Sequence, residues 1–200
     1  MSIDLSPLMI RCPALEVCAE DITRAYELLK GCYKNGGKLL VCGNGGSCAD
    51  SAHIVGELMK GFLLKREIPG AKGALAHLQG ALPAIDLTAQ SGLISAFAND
   101  EDADYVYAQQ VFGYSNGHPY DALLGLSTSG DSANVVHAAE TAKELGIAAI
   151  AVTGERESRL SELCDVCIRL PASDTFRIQE YTMPVYHFLC AALEAEFFKT

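Results

Sequence analysis

The chain has 200 residues, half of them apolar, with 25 acidic and 15 basic side chains. This length and apolar content are enough for one α/β domain with a full hydrophobic core. The formal net charge of −10 disfavours broad binding to nucleic acid, and no apolar run approaches the roughly 20 residues that a membrane span needs.

Patterns typical of strands and helices alternate along the chain. Apolar residues at helical spacing predict a first helix from residue 13 to about 34, and the glycines at 36 and 37 end it. Five short apolar runs predict strands at 38–43, 83–87, 122–130, 147–154 and 165–170. Further helices are predicted around residue 55 and at 89–98, 102–115, 132–146, 158–164 and about 174–198, with a loop at 64–80.

Several predicted strands, such as LLVCG and IAAIAV, are apolar almost throughout. Such strands are typical of a parallel sheet covered by helices on both faces. The sequence contains no internal repeat, low-complexity tract or linker. We therefore interpret 1–200 as a single α/β domain, made of an N-terminal helical arm (1–36) and an αβα core with a C-terminal helix (37–200).

The N-terminal stretch MSIDLSPLMIRC has no basic segment followed by an apolar core, so we expect no signal peptide. The eight cysteines are accordingly expected to be reduced thiols of a cytoplasmic protein. Cys164 and Cys167 form a C-x-x-C pair, but the pair lies in a predicted strand instead of opening a helix. Buried thiols are therefore favoured over a redox or metal role for this pair.

Two turns at the ends of predicted strands have the chemistry of an anion site. They are Gly43-Asn44-Gly45-Gly46-Ser47 and Ser127-Thr128-Ser129-Gly130-Asp131-Ser132. Glycines let the backbone approach a ligand closely, and hydroxyls add neutral donors. Ordinary helix capping needs one such residue, whereas the second turn offers four hydroxyls in six positions, which favours a phosphate monoester. Neither turn matches a dinucleotide or Walker A motif, so we predict no nucleotide cofactor.

His53 and Glu57 are four residues apart and therefore lie on one face of the helix after the first turn. Such a pair can bind a divalent metal or transfer protons, although an isolated pair of this kind is more often an ordinary surface pair. Gln179 and His187 are eight residues apart in the last predicted helix, about 12 Å along a straight axis. Spacing alone does not join them into one site.

The motifs GNGGS…D-x-x-H-x-x-x-E-L, S-T-S-G-D-S-A-N-V and R-I-Q-E…H occur in this order over about residues 10–198. In this combination the sequence resembles the SIS-domain phosphoheptose isomerases. The resemblance implies an αβα sandwich on a five-stranded parallel sheet and a homotetramer with active sites at subunit contacts. It also implies interconversion of sedoheptulose 7-phosphate and a D-glycero-heptose 7-phosphate.

The resemblance further assigns the site residues. It implies a zinc ion ligated through His53, Glu57, Gln179 and His187, with Gln179 also contacting the substrate. Ser127, Thr128, Ser129 and Ser132 match the phosphate cradle. Asn44 and Ser47 match first-turn substrate contacts, with Gly45 and Gly46 between them, and Asp100, with Asn99 beside it, falls where an acidic residue meets sugar hydroxyls.

Isomerisation between an aldose and a ketose moves a proton between C1 and C2 through an enediol(ate). The reaction needs a base at carbon and an acid that serves the oxygens. We assign Glu57 as the base and His187 as the acid, and a metal would stabilise the enediolate as a Lewis acid. If Glu57 also ligates zinc, it has to leave the metal or share its roles during turnover.

Three features depart from the family pattern. Where the family has a basic residue in G-R-[FY], this chain reads Lys60-Gly61-Phe62, with Arg66 further on. The loop 66–80 is longer than usual and contains His77, which we interpret as a surface residue and not as a ligand. Phe176 occupies a position where the family often has Asp. These departures put heptose specificity in doubt more than phosphate binding.

Two alternatives to a phosphoheptose isomerase stay open at this point. The second hypothesis is a binding protein without catalysis, because the same fold serves phosphosugar-binding proteins and a bacterial protein that associates with the replication initiator. In the latter the positions matching the His/Glu pair are altered, so the presence of His53, Glu57 and His187 favours the enzyme. The third possibility is an isomerase of another ketose phosphate.

Overall fold

A computed structural model describes residues 3–198, so the outer ends of the predicted 1–200 domain, including the start of its 1–36 arm, lie outside the described residues. The strands are β1 (Leu39–Gly43), β2 (Ala84–Asp86), β3 (Ala122–Leu126), β4 (Ala148–Thr153) and β5 (Val166–Arg169). The α-helices are α1 (Ser6–Arg11), α2 (Ala19–Lys34), α3 (Gly46–Met59), α4 (Ser91–Asp100), α5 (Val106–Ser115), α6 (Ala133–Glu144), α7 (Arg159–Leu163) and α8 (Thr175–Phe197). Short 3-10 helices occupy Pro13–Cys18, Gly73–His77, Leu87–Ala89 and Ala103–Tyr105.

All five strands are parallel and lie in the order β2-β1-β3-β4-β5. Because successive strand residues face opposite sides, Leu39 and Val41 join one core with α1, α2, α3 and α8, whereas Leu40 and Cys42 join a second core with α5, α6 and α7. The predicted αβα sandwich on a five-stranded parallel sheet is therefore confirmed. All five predicted strands are present.

The N-terminal segment differs from the prediction in detail. It starts with α1, which apolar spacing did not predict, and the 3-10 helix Pro13–Cys18 then precedes α2. Helix α1 and the 3-10 helix Pro13–Cys18 each have a proline in the first turn, where the missing N–H of proline costs no hydrogen bond. Leu8 and Leu15 are fully buried in the same core as α8, so the segment packs on the sheet.

The last helix, α8, spans 23 residues and continues through Pro184. Its buried side includes Val185, Leu189 and Leu193, which are spaced four residues apart. Among residues 3–198, no helix combines the length and the apolar character that crossing a membrane requires.

A buried ion pair fixes the segment that follows α3. The Arg66 guanidinium contacts Glu194 of α8 through Nε at 2.7 Å, and it donates to the carbonyls of Leu58 and Glu57 at 2.6 and 2.9 Å. Glu194 also accepts the backbone N–H groups of residues 62–64 at 2.7 to 3.0 Å. We call this network the Arg66–Glu194 clip. It satisfies carbonyls at the end of α3 that lack helical partners and ties that end to α8.

We expect Glu194→Gln to lower the free energy of unfolding by about 3–5 kcal/mol at neutral pH, because it leaves the buried Arg66 without its counter-charge. Urea unfolding measures this change. Glu180→Gln, an exposed position on the same helix, is the matched control and should stay within about 0.5 kcal/mol of the parent.

The difference in unfolding free energy between the parent and Glu194→Gln should depend on pH. Burial opposes ionisation of Glu194, but the Phe62 N–H, the Arg66 guanidinium and the Leu63 N–H outweigh it and hold the pKa of Glu194 below its usual value. The stabilisation is therefore present above the unfolded-state pKa of about 4.3 and is lost as the pH falls through the lower folded-state value. The difference between parent and Glu194→Gln should shrink in acid, and a pH-independent difference would contradict this account.

Candidate active site

Two helix-initiating turns meet at the carboxyl edge of the sheet. β1 ends at Gly43 and β3 at Leu126, and the two strands are neighbours, so the turns that follow them lie side by side. Together with the first turns of α8 they surround a cavity of about 310 Å³. The cavity is lined by Asn44, Gly45, Gly46, Ser47, Leu126, Ser127, Thr128, Ser132, Thr175 and Gln179.

The hydroxyls of the second turn cluster together. Ser127 Oγ lies 3.0 Å from Ser132 Oγ and 3.4 Å from Ser129 Oγ, and it accepts the Gly130 N–H at 3.2 Å. Ser132 is the residue before α6, yet its side chain makes no capping hydrogen bond. Ordinary capping therefore does not account for its hydroxyl. Ser129 is exposed and lines an adjoining cavity of about 220 Å³ on the other side of Thr128.

Three helix N-termini open at the 310 Å³ cavity without a side-chain cap. The capping residues are Gly45 for α3, Ser132 for α6 and Asp174 for α8, and none of their side chains bonds the first turn. Unpaired N–H groups at helix N-termini carry partial positive charge and bind anions. The lining residues include no Lys or Arg, so this cavity is suited to hold an anion by backbone and hydroxyl donors.

Close packing explains the glycines of the first turn. Gly45 has a φ of 58°, a left-handed conformation that glycine adopts without strain. A Cβ at Gly46 would overlap the end of the Gln179 side chain, so the missing side chain leaves room for that amide beside the start of α3. Asn44 is held by a reciprocal pair of amide hydrogen bonds with Asn134 at 2.8 and 3.0 Å.

Further along the same helices, His53 and Glu57 meet His187. His53 Nε2 lies 3.1 Å from Glu57 Oε1 and 3.5 Å from His187 Nε2. The Glu57 side chain is 13% exposed, and its Oε2 is buried without a hydrogen-bond partner, since the Lys60 ammonium lies 3.6 Å away, beyond hydrogen-bond reach. Two imidazoles and a carboxylate therefore converge on one point.

Burial lowers the pKa of His187, and the neighbouring His53 lowers it further, whereas Glu57 opposes the shift. The neutral imidazole is therefore the main form of His187 at neutral pH. A neutral imidazole can bind a metal ion or exchange a proton with a ligand.

His53 is also held from its other side by residues that the sequence analysis did not assign. The Tyr186 hydroxyl lies 2.9 Å from His53 Nδ1 and donates to Asp50 Oδ1 at 3.2 Å. Burial raises the pKa of Tyr186 and also that of Asp50. The available signals were the aspartate in the D-x-x-H motif and the tyrosine directly before His187. Thr175, which lines the anion cavity, had no such signal.

The anion cavity and the His/Glu cluster are separate within one chain. His53 lies seven residues beyond Gly46, about 10 Å along the axis of α3. Gln179 lines the cavity, whereas His187 belongs to the cluster. Three of the four residues assigned to zinc therefore form one cluster, in which His53 contacts both Glu57 and His187. Among residues 3–198 no three His, Cys, Asp or Glu side chains are arranged around an open ion position.

The other residues singled out in the sequence analysis lie outside the cavity and the His/Glu cluster. Asn99 and Asp100 are hydrogen-bonded to each other at 2.7 Å at the exposed end of α4 and do not line the cavity. Arg66 is buried in the Arg66–Glu194 clip and is not available to a substrate, so Lys60 is the basic residue beside Glu57. His77 is exposed, as the sequence analysis interpreted it.

Neither cysteine of the C-x-x-C pair is disposed to react. Both are free thiols, Cys164 at the end of α7 and Cys167 in β5. Burial raises the pKa of Cys164 to about 12, and it also raises that of Cys167. A thiolate is therefore disfavoured at both positions, although the two side chains are half-buried and not fully buried as predicted.

Comparison with known proteins decides the family. The SIS-domain family matches residues 13–154. The phosphoheptose isomerase of Rhodospirillum rubrum is 38% identical over 177 residues, which cover 88% of this chain and 86% of that protein. The chain belongs to the SIS-domain phosphoheptose isomerase family. It is a sugar-phosphate isomerase, and the interpretation as a non-catalytic relative is set aside.

Solved structures support the same assignment. The phosphoheptose isomerase of Neisseria gonorrhoeae is 32% identical, with a TM-score of 0.76, and covers 92% of this chain and 91% of its own. That of Francisella tularensis is 30% identical, with a TM-score of 0.78, and covers 94% of this chain and 92% of its own. The isomerase described here therefore matches these relatives over nearly its full length.

The hydroxyl turn gives a direct test of the anion cavity. At Gly130 the φ is +73° and a Cβ would overlap the Ser158 side chain, whereas at Gly117 the φ is +75° and a Cβ would meet nothing within 4 Å. We expect Gly117→Ala to cost about 1–2 kcal/mol of stability from backbone strain alone. Gly130→Ala should cost about 1–3 kcal/mol more because of the overlap.

Gly130→Ala should also weaken binding of inorganic phosphate at the hydroxyl turn, measured by calorimetry, while Gly117→Ala should not. Equal phosphate affinity in the two variants would contradict an anion site at this turn. The Gly117 variant controls for a general loss of stability, since it carries the same backbone strain at a residue that does not line the cavity.

Proposed function

We propose that this isomerase interconverts sedoheptulose 7-phosphate and a D-glycero-heptose 7-phosphate. The observation that carries the proposal is the placement of two chemistries along one pair of helices. The uncapped helix N-termini and hydroxyls stand at the starts of α3, α6 and α8, and the His/Glu cluster stands further along α3 and α8. The names of the relatives support the seven-carbon substrate.

In this proposal the phosphate monoester binds in the 310 Å³ cavity. Its terminal oxygens accept from backbone N–H groups and from the hydroxyls of Ser47, Ser127, Thr128 and Ser132. The carbonyl end of the sugar then extends toward His53 and Glu57. The offset of about 10 Å along α3 favours a long sugar, because the phosphate and the reacting carbons are at opposite ends of a heptose chain.

Glu57 removes the proton from C1 of the ketose and returns it to C2, and His187 protonates and deprotonates the sugar oxygens. Reversing these steps converts the aldose to the ketose. The Glu57 carboxylate is suited to act as base, since its buried Oε2 makes no hydrogen bond and has the Lys60 ammonium 3.6 Å away. The lowered pKa of His187 keeps its imidazole neutral near neutral pH, so the ring can donate from one nitrogen and accept at the other as protons move between the sugar oxygens.

The chemistry of the donor set fits a zinc ion, since two imidazoles and one carboxylate are ligands that zinc prefers. Within residues 3–198 these side chains are not arranged around an open ion position, so they would have to move apart to hold the ion. We propose that His53, Glu57 and His187 hold the ion and that Gln179 completes the set only if its side chain moves from the anion cavity. When bound, zinc would supply Lewis acidity for the enediolate oxygens.

We also propose a cytoplasmic homotetramer with active sites at subunit interfaces. α4 supports this assembly, since its Leu93 is exposed, whereas Ile94 and Phe97 are half-buried against the second core of the same chain. A neighbouring chain that covered α4 would bring Asn99 and Asp100 close to another surface. A monomer mass in sedimentation equilibrium would exclude the assembly.

The departures at Lys60-Gly61-Phe62 and the long 66–80 loop keep another ketose phosphate as the second candidate substrate. The purified enzyme should be incubated with C5, C6 and C7 ketose phosphates while NMR follows the aldose. We expect the fastest turnover with the C7 substrate. Faster turnover of a shorter sugar would overturn the heptose assignment, and silence across the panel would overturn the catalytic proposal.

We expect Glu57→Gln to lower turnover by at least about 10²-fold, the minimum contribution of a general base. The affinity for the sugar phosphate should change little, because the anion cavity is separate from Glu57. Glu144→Gln, an exposed position on α6, is the control. Normal turnover of the Glu57 variant would remove this residue as the base.

We expect prolonged chelation to lower activity and added zinc to restore it. Elemental analysis of the purified protein gives an independent readout of the metal. His53→Gln should lose zinc, whereas the exposed His77→Gln should retain it. Full activity at a zinc content near zero would dismiss the metal.

A further inference from the structure

Two asparagines join the turns that form the anion cavity. Asn44 lies in the glycine turn before α3, and Asn134 is the second residue of α6. Asn44 Nδ2 donates to Asn134 Oδ1 at 2.8 Å, and Asn134 Nδ2 donates to Asn44 Oδ1 at 3.0 Å. We call this pair the asparagine bridge. It spans 90 residues of sequence and ties the start of α3 to the start of α6.

Tyr107 of α5 holds the same glycine turn from the protein interior. The residue is 6% exposed and packs in the second core beside Leu40 and Cys42. Its hydroxyl donates to the backbone carbonyl of Gly43 at 3.0 Å and lies 3.3 Å from Asn44 Oδ1. Burial raises the pKa of Tyr107, so the phenol keeps its proton and remains a donor.

The glycine turn needs such partners because of its composition. Gly43, Gly45 and Gly46 have no side chains to pack, and glycine loses more conformational freedom on ordering than any other residue. The shape of the turn therefore depends on groups that bond its backbone and its asparagine. Tyr107 and Asn134 supply these bonds, from α5 and α6.

Neither Tyr107 nor Asn134 lines the anion cavity. Both residues can influence a bound anion only through the turn that they hold, whose Asn44 and Ser47 do line the cavity. A turn that is already ordered in the free enzyme does not have to be ordered when the ligand binds, and this saving increases affinity.

We propose that Tyr107 and Asn134 are positioning residues that hold the glycine turn 43–47 in the shape that the substrate phosphate requires. The consequence for phosphate rests on the proposed function, whereas the order of the turn in the free enzyme does not. The two statements are therefore tested by separate measurements.

The order of the turn is measured first, by amide hydrogen exchange in the ligand-free enzyme. Ser47 and Cys48 report it, because their N–H groups donate to the carbonyls of Asn44 and Gly45 at 3.0 and 3.1 Å. Tyr107→Phe should speed the exchange of both amides by about 2–10-fold, the equilibrium worth of one hydrogen bond.

Asn134→Ala is the second variant and should speed the same two amides, because it removes the asparagine bridge. Tyr114→Phe is the matched control, since Tyr114 is a half-buried tyrosine near the other end of α5, and it should exchange like the parent. Parental exchange rates in both Tyr107→Phe and Asn134→Ala would overturn the proposal.

The affinity for inorganic phosphate is measured next, by calorimetry on Asn44→Ala, Asn134→Ala and the double variant. Asn134→Ala should weaken binding by about 2–10-fold. On the Asn44→Ala background the same substitution should have no further effect, because the bridge is already broken. An Asn134→Ala affinity equal to that of the parent, or an equal loss on both backgrounds, would overturn the consequence for phosphate.

Kinetics separate positioning of the phosphate turn from a general defect. Tyr107→Phe should raise KM for the sugar phosphate by about 2–10-fold and leave kcat unchanged, because the His/Glu cluster lies further along α3. A fall in kcat with KM unchanged would overturn the assignment to phosphate binding. A parent that binds no phosphate, with the expected exchange rates, would overturn the anion cavity and leave the positioning of the turn in place.

Discussion

The site depends on the direct packing of α3 against α8, which run side by side in the same direction. Near their starts, the missing side chain of Gly46 makes room for Gln179. In the middle, His53 contacts His187. Beyond the end of α3, the Arg66–Glu194 clip ties the chain back to α8. Because these contacts share the same two helices, a shift of α8 would disturb the anion cavity and the His/Glu cluster together.

This arrangement also explains how an acidic protein can bind an anion. The formal net charge is −10, and the cavity has no basic side chain among its lining residues. Its donors are instead backbone N–H groups and hydroxyls, whose dipoles are fixed by the helices that carry them. The electrostatic potential in the cavity is therefore set locally, and the overall charge of the surface has little influence on it at physiological ionic strength.

Local chemistry was readable from the sequence, but partnerships between distant residues were not. The turn 127–132 was predicted to hold an anion because it has four hydroxyls in six positions, and the structure places all four around the cavity or its neighbour. By contrast, no sequence pattern linked Arg66 to Glu194, which is 128 residues away in the chain, and only the structure shows the two buried together as an ion pair. Asp50 and Tyr186 gave only weak signals for the same reason.

The sequence by itself determined the order of strands and helices, the two polar turns and the shared face of His53 and Glu57, because these follow from spacing within a few residues. Only the tertiary structure decided that His187 joins that face, that Gln179 stays in the anion cavity, and that Tyr186 links His53 to Asp50. These contacts depend on the position of α8 relative to α3. That position is set by the packing of both helices on the sheet, which no local pattern encodes.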